Sequence, residues 1–259
     1  IQKQTLNTNR FVKKPDELAN KMSGDKELAQ LLKEATGKVH REAESTQFMK
    51  AFIRGQLGKD EHIAYIVAMY HIYIVMEKIY ADACTSSADA EKLKSLYFPK
   101  ELDRTQSLEE DLEFFLGKNW RKNKDIVDMS PATREYVERI REVGTRDPLL
   151  LIAHAYTRYL GDLSGGLLLG GMAKKTLKLD DKGLAFFEFS EIPDPEAFKN
   201  EYRARMNALG LSEDRANEMA EEAVVSFELN IKLFSELDKK FGLVPGSESD
   251  KTLTQATLM

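Results

Sequence analysis

The sequence predicts an all-α protein folded as a single domain. Apolar residues recur every three or four positions through most of the chain, which is the spacing of helices with one buried face. Only 7 Pro and 15 Gly occur among the 259 residues, so long helices meet few breaks. Strands do not alternate with helices anywhere, and no internal repeat is visible. A chain of this length can bury one large core.

The individual helices follow from apolar spacing and from residues that favour helix entry. The first helix is predicted from the apolar positions Leu28, Leu31, Leu32, Ala35, Val39 and Ala43. Further helices are predicted near residues 60–84, 102–116, 131–143, 148–177, 195–209 and 212–241. Pro131 and Pro148 each follow a polar residue, which is a favoured start. Ser212 precedes two acidic residues, as an N-cap residue often does.

Three parts of the chain lack this helical pattern. Residues 1–25 are predicted to form a flexible N-terminal arm and residues 243–259 a disordered tail. The folded domain is predicted to span residues 26–242. Between two helices, the aromatic run Phe186, Phe187 and Phe189 is predicted to pair as a short strand.

Charge and cysteine content exclude several classes of protein. The 38 basic and 43 acidic residues leave a net charge of −5, which provides no electrostatic footprint for nucleic acid. Cys84 is the only cysteine, so an internal disulfide and a thiolate zinc site are both excluded. A single unpaired cysteine favours a reducing, cytoplasmic location.

The membrane and targeting signals are weak. The longest apolar stretch, Ile63–Met76, has 14 residues and contains His71, a length typical of a core helix. No secretion signal is recognisable. The chain begins with Ile1 rather than Met, so we expect a fragment or a processed form from which a targeting segment or tail anchor could have been removed.

The histidines argue against a metal site built from several side chains. His40, His62, His71 and His154 form no HExxH motif, and none follows a Glu by three residues, which disfavours zincins and di-iron bundles. A metal held by one histidine, as in an open-sided porphyrin, fits this set better. We expect His71 and His154 to be hydrogen-bonded core residues.

His40 is the candidate for such a single ligand. Glu44 follows it by one helical turn, and a ligating imidazole commonly gives its second N–H to a carboxylate. From this fragment alone, an ordinary surface histidine is the favoured interpretation.

A cluster of glycines is the most unusual feature of the chain. Five of them fall within residues 161–171, inside a predicted helix, where each costs about 1 kcal/mol relative to Ala. They either let the backbone approach a flat ligand or allow close packing of helices, and spacing alone favours neither. Asp162 lies within the cluster beside apolar residues and needs a partner, which Arg158, one turn earlier, can provide.

Four segments resemble the haem oxygenase family. LLIAHAYTRYLGDLSGG (residues 150–166) resembles the family signature, and LLKEATGKVHREAE (31–44) is similar to its proximal-histidine helix. FKNEYRARMNAL (198–209) and FELNIKLFSEL (227–237) also match family segments. The similarity covers about residues 27–241 and is greatest for the eukaryotic type.

The resemblance implies a helical fold that holds haem between a proximal and a distal helix. Haem is then both substrate and cofactor, and with O2 and electrons from a reductase it yields biliverdin, CO and Fe²⁺. His40 corresponds to the iron ligand, with Glu44 as its carboxylate partner. Gly161 and Gly165 correspond to the distal backbone that crosses the haem face, and Asp162 to the acid that organises distal water.

The resemblance assigns roles to ten further residues. Polar groups at the haem edge and propionates correspond to Lys33, Tyr156, Lys199 and Arg203. Members of the distal hydrogen-bond network correspond to Tyr73, Tyr136, Arg158 and Asn230. Residues lining the pocket correspond to Phe227 and Phe234.

Two departures from the mammalian pattern stand out. A second propionate-side lysine is replaced by Gly37, and Lys38 is turned about 100° around the helix from that position. Gly170 and Gly171 occupy positions at which the mammalian enzymes often carry lysines linked to reductase docking.

The resemblance also implies partners and a location. The expected electron donor is an NADPH-cytochrome P450 reductase or a ferredoxin, and the expected state is a monomer that binds no nucleic acid. Membrane association is expected only through a segment absent from this chain, at the cytosolic face of the endoplasmic reticulum if a tail anchor has been removed. The alternatives are a non-catalytic haem sensor or carrier on the same fold and, more remotely, a haem-free helical interaction module.

Overall fold

The computed structural model describes residues 26–243, apart from the side chains of residues 125 and 127. The predicted arm (1–25) and all of the predicted tail beyond Leu243 lie outside the described residues. Every regular element within 26–243 is helical, which confirms the all-α prediction. The α-helices are α1 (Leu28–Glu44), α2 (Gln47–Ile53), α3 (Lys59–Ser86), α4 (Ala90–Ser95), α5 (Pro99–Leu102), α6 (Thr105–Leu116), α7 (Lys124–Val127), α8 (Pro131–Arg146), α9 (Leu151–Ala155), α10 (Leu167–Leu177), α11 (Pro195–Asn207) and α12 (Glu213–Phe241).

Helix α3 runs through the core. It packs against α8 on one side and α6 on another, while α12 lies along α1. By length and composition α3 could cross a membrane, but 61% of its most apolar window is buried inside the fold. Tyr73, Met69 and Ile72 on this helix have no exposed surface at all. The prediction that Ile63–Met76 forms a core helix is therefore confirmed.

Several helix boundaries are set by side-chain caps. Ser212 accepts a hydrogen bond from the backbone N–H of Arg215, as the sequence predicts. The predicted helix at 102–116 instead begins at Thr105. Its first turn is capped by the buried carboxylate of Glu77, which accepts from the backbone N–H of Arg104 at 2.6 Å. Because Glu77 comes from another helix, the local sequence could not indicate this boundary.

The predicted strand at Phe186, Phe187 and Phe189 is wrong. Residues Ala185–Phe187 form a 3-10 turn instead. The carboxylate of Asp111, on α6, accepts from the backbone N–H groups of Ala185 and Phe186, both at 2.9 Å. With these donors satisfied and all three Phe rings buried, the segment needs no strand partner.

The predicted helix at 148–177 is one continuous helical run with irregular turns. It opens with a 3-10 turn at Pro148–Leu150 and then contains two π-helical segments, Tyr156–Leu160 and Asp162–Gly166, on either side of Gly161. We call residues 151–177 the glycine-rich helix. Helix α2, which the sequence did not predict, begins after the N-cap residue Thr46 and packs against its C-terminal part.

Helix α1 and the glycine-rich helix share the same neighbours. Helices α2, α11 and α12 each pack against both of them. Within the described residues, α1 and the glycine-rich helix do not pack extensively against each other. The fold therefore holds these two helices apart, with α12 behind them.

Candidate functional site

One exposed face of α1 carries His40. Lys33, Gly37, His40 and Glu44 follow one another at steps of four, three and four residues, so they share a face of the helix. The His40 side chain is 53% exposed, and its Nδ1 lies 3.7 Å from Oε1 of Glu44. Its ring packs edge-on against Phe227 of α12, with centroids 5.4 Å apart. The Nε2 side of the imidazole is thus available for a ligand.

The glycines of the glycine-rich helix differ in the space around them. A Cβ added at Gly161 or Gly165 would meet nothing within 4 Å, so neither glycine serves helix packing. A Cβ at Gly170 would lie 2.7 Å from Cβ of Phe187, which is too close for any larger residue. The two interpretations left open by the spacing therefore apply to different residues: Gly170 allows close packing, while Gly161 and Gly165 keep a backbone surface open.

The open glycines lie where the helix is widened. Gly161 separates the two π-helical segments, and such segments are frequent at functional sites. Ser164 and Leu168 are exposed on the same face as Gly161 and Gly165, at helical spacing. On this face the two glycines leave the helix backbone uncovered between the side chains of Ser164 and Leu168.

One turn of α12 connects the two exposed faces. Phe227 contacts the His40 ring, and Asn230, three residues later, accepts a hydrogen bond from the guanidinium of Arg158. Arg158 lies in the π-helical segment just before Gly161. His40 and the open glycines are therefore positioned from the same stretch of α12, as a flat ligand between two helices requires.

A buried network stands behind the open glycines. The hydroxyl of Tyr73 donates to Oδ2 of Asp162, and the Arg158 guanidinium lies 3.4 Å from Oδ1, which confirms the predicted partner. Arg158 also donates from Nε to the Tyr73 oxygen at 3.3 Å. Burial raises the pKa of Asp162, and the positive charge of Arg158 opposes that rise. The carboxylate is thus fixed in place by two donors and has remaining lone pairs that can accept from water.

The network continues to Tyr136 through a residue that sequence reasoning missed. Asn230 donates from its side-chain amide to the Ser226 carbonyl oxygen at 3.1 Å, and the Ser226 hydroxyl is 2.7 Å from that of Tyr136. Tyr136 therefore supports Asn230 rather than bonding Asp162 directly. Tyr65 is also buried beside Arg158 and Asp162, which influence its pKa, although burial raises that pKa most strongly. No local pattern could have indicated Ser226 or Tyr65.

Basic side chains gather at one end of the two faces. On α11, Nζ of Lys199 donates to Oγ of Ser164 at 3.2 Å, and Arg203 lies one turn further on. Burial raises the pKa of Tyr156, and the positive charge of Arg203 opposes that rise. Lys33 is exposed on α1.

The packing of α11 fixes which end of α1 these groups approach. Asn207 accepts from the backbone N–H of Ala29 at 2.9 Å and donates to Glu27 at 2.8 Å. The C-terminal part of α11 is therefore attached to the N-terminal end of α1, so the basic groups lie on the Lys33 side of His40.

Phe234 lies apart from the exposed faces. It is buried and stacks on Phe48, with centroids 6.1 Å apart and planes 12° apart, and a tilted contact joins it to Tyr65. Its role as pocket lining stays a prediction.

The remaining histidines of interest are structural, as predicted. His71 contacts the Ile126 carbonyl oxygen at 3.1 Å. The fully buried His154 contacts Oε1 of Glu222 at 2.9 Å, and Arg139 donates to the same oxygen at 3.0 Å. Burial acts to raise the pKa of Glu222, but the hydrogen bonds from His154 and Arg139 prevail and lower it to about 2. Among residues 26–243, no group of three or more His, Cys, Asp or Glu side chains could hold a metal ion.

Comparison with known proteins identifies the family. The sequence profile described as "Heme oxygenase" matches residues 26–236, which is most of the chain. The chain belongs to the heme oxygenase family. Among its relatives, "Heme oxygenase" of Takifugu rubripes is 39% identical over 238 residues, covering 90% of this chain and 83% of that protein.

Solved structures of the family give the same result for the fold. The crystal structure of heme oxygenase-1 from Synechocystis in complex with heme has a TM-score of 0.77 and 39% identity, covering 90% of this chain and all of that one. The structure of heme oxygenase-2 from Synechocystis with heme and NO has a TM-score of 0.80 and 35% identity, covering 89% and 93%. The heme oxygenase fold predicted from the sequence is therefore confirmed.

Proposed function

We propose that this protein is a haem oxygenase that binds haem between α1 and the glycine-rich helix. Membership of the family supports this function. Within the structure, the supporting observation is the pairing of an exposed His40 with the open glycines, both positioned from one turn of α12. When bound, haem supplies the iron at which O2 reacts and the porphyrin ring that is oxidised to biliverdin, with release of CO and Fe²⁺.

The residues present fit haem. A Cβ at Gly161 or Gly165 would occupy the space that the flat ring needs, and glycine leaves that space free. His40 would hold the iron through Nε2, because its Nδ1 faces the Glu44 carboxylate. That carboxylate would orient the imidazole and increase the basicity of Nε2. The ring of Phe227 packs against the His40 imidazole and limits its movement. Lys33, Lys199 and Arg203 hold the propionates.

Asp162 acts through water. Its carboxylate is fixed by Tyr73 and Arg158. With haem bound, its free lone pairs would accept a hydrogen bond from a water molecule beside Gly161. The carboxylate would thereby hold a proton donor near the ligand, and Gly161 and Gly165 place no side chain in front of it. Asn230 and Tyr136 hold Arg158 in position and do not touch the substrate.

The electron donor, oligomeric state and location complete the proposal. Lys174 and Lys175 are exposed in the last turn of α10, where positive charge can receive an acidic redox partner such as an NADPH-cytochrome P450 reductase or a ferredoxin. The protein works as a monomer in the cytoplasm, or at the cytosolic face of the endoplasmic reticulum if the natural chain carries a tail anchor.

Adding haemin to the purified protein tests the proposal. With a reductant and catalase present, the Soret band should appear and then decay as biliverdin absorbance grows. A stable Soret band under reducing conditions would instead establish a haem sensor or carrier. Absence of a Soret band would leave only the helical interaction module.

A further inference from the structure

Arg41 is an exposed cation on α1 to which the family resemblance assigns no role. It follows Gly37 by one turn of α1, and one of its terminal guanidinium nitrogens lies 3.7 Å from the point where a Gly37 Cβ would be. The guanidinium therefore folds back along the helix and covers Gly37. Side chains on helices lean toward the N-terminus in this way.

The place that Arg41 reaches belongs to the face that carries His40. Gly37 lies between Lys33 and His40 on that face, about 4.5 Å along the axis from His40 at 1.5 Å per residue. Although the Arg41 Cα lies to one side, its charge is on the Lys33 side of His40. Lys199 and Arg203 approach the same side, since α11 is attached to the N-terminal end of α1.

Arg41 is also free to bind a ligand. Within residues 26–243 no ion pair or side-chain hydrogen bond involves its guanidinium, and the residue is exposed. By contrast, Lys38 is 3.5 Å from Glu42, and Lys199 is 2.9 Å from Glu196. A planar guanidinium is the best side chain for bidentate recognition of a carboxylate.

From this geometry we propose that Arg41 is a substrate-positioning residue: its guanidinium, lying over Gly37, binds a propionate of haem. The inference rests on the proposed function. Glycine at position 37 and arginine at position 41 then act as one device, because the missing side chain at 37 makes room for the guanidinium. Lys38, one position from Gly37, does not take this part.

A comparison of haemin with haemin dimethyl ester tests the proposal. Esterification removes the propionate charges and leaves the ring and iron unchanged. Arg41→Ala should weaken haemin binding about threefold to tenfold, as measured by Soret titration, because a partly exposed charged pair is lost. The same substitution should change the affinity for the diester less than twofold.

Two further variants separate positioning from a general effect on the fold. Gly37→Lys in the Arg41→Ala background should restore haemin affinity, since position 37 has space for a longer side chain. Lys38→Ala, the matched control on the same helix, should leave both affinities unchanged. Arg41→Ala should also add a second biliverdin isomer to the single one expected, because the ring gains freedom to rotate about the iron ligand.

Two results would overturn the inference, and a third would overturn the proposed function on which it rests. Equal losses for haemin and its diester would show that Arg41 acts through the fold. Unchanged haemin affinity in Arg41→Ala would show that it is an ordinary surface residue. Failure of the unsubstituted protein to bind haemin at all would defeat the proposed function itself, and the two failures are thus distinguishable.

Discussion

Replacing Gly161 by Ala should separate the stability of the fold from its ability to bind haem. Gly161 has helical dihedral angles, φ −63° and ψ −47°, and an added methyl group would meet nothing within 4 Å. The fold without haem should therefore become more stable by about 0.5–1 kcal/mol, the helix preference of Ala over Gly. For a domain of this size that corresponds to a rise in Tm of about 1–4 °C.

Haem binding should respond in the opposite direction. A methyl group at residue 161 would stand in the space we assign to the porphyrin, and overpacking a close contact costs about 1–3 kcal/mol. At 1.4 kcal/mol per tenfold change, Kd for haemin should rise about 5-fold to 150-fold. Soret titration and thermal unfolding of the haem-free protein measure the two effects separately.

Two other glycines of the same helix serve as controls. Gly171→Ala also adds a methyl group in open space, so it should raise Tm similarly and leave haemin affinity unchanged. Gly170→Ala should lower the stability of the fold, because its Cβ would lie 2.7 Å from Cβ of Phe187. If Gly161→Ala binds haemin as tightly as Gly171→Ala does, the open glycines do not face the ring.

Four further predictions concern individual side chains. His40→Ala should lose activity but recover part of it with added imidazole; full activity without imidazole would exclude His40 as the iron ligand. Charge reversal of both Lys199 and Arg203 to Glu should convert a single biliverdin isomer into a mixture, as chromatography would detect, and one unchanged isomer would show that the pocket walls set the orientation. Asp162→Ala should keep a near-normal Soret band, make little biliverdin and, with peroxide, oxidise guaiacol as a peroxidase does; biliverdin at the wild-type rate would contradict the role of this carboxylate. Glu222→Gln should destabilise the fold by about 3 kcal/mol at pH 7, because the pKa of Glu222 is about 2 in the folded protein and usually 4.5. This contribution to stability is complete above pH 4.5 and is lost as the pH falls toward 2. A deficit that does not shrink in acid would refute this.

The pH dependence for Glu222 follows from the sign of its pKa shift. The ionised carboxylate is the form that His154 and Arg139 stabilise in the folded protein. Protonation in acid removes that advantage from the wild type, whereas the Gln variant has none to lose. Urea unfolding at pH 7, 4 and 3 therefore gives a difference that should diminish stepwise.

Local features of the sequence were good predictors where the interaction is local. The long helices follow from apolar spacing, and the Arg158–Asp162 pair follows from their separation by one turn. The start of α12 is predictable because its cap, Ser212, is the residue immediately before the helix. The start of α6 is not, because its cap, Glu77, comes from a helix 28 residues earlier along the chain.

Features that depend on residues far apart in the chain could not be predicted from the sequence. The aromatic run has the pattern of a strand, but the carboxylate of Asp111, more than 70 residues earlier, accepts hydrogen bonds from its backbone and fixes it as a 3-10 turn. The glycines are equivalent in the sequence, whereas in the structure an added Cβ would meet Phe187 at Gly170 and nothing within 4 Å at Gly161. For the same reason Ser226 was missed, since it reaches Tyr136 only through tertiary packing.

His40 illustrates the limit of local reasoning about a site. Its own segment is typical of a surface helix, and in the structure the side chain is indeed exposed. Its proposed role depends on a ligand that must also fit against residues more than 100 positions away, such as Gly161. The family resemblance supplied that connection, and the contact with Phe227 on α12 gives it a physical basis.

The most direct test of the central claim is to measure both products of a single turnover. The haem complex is reduced under O2 with catalase present, and CO and biliverdin are quantified together. We predict equal amounts of the two, each matching the haem consumed, because one ring carbon leaves as CO for every ring opened. Loss of the Soret band without CO, or a complex that retains its haem throughout, would contradict the assignment as a haem oxygenase.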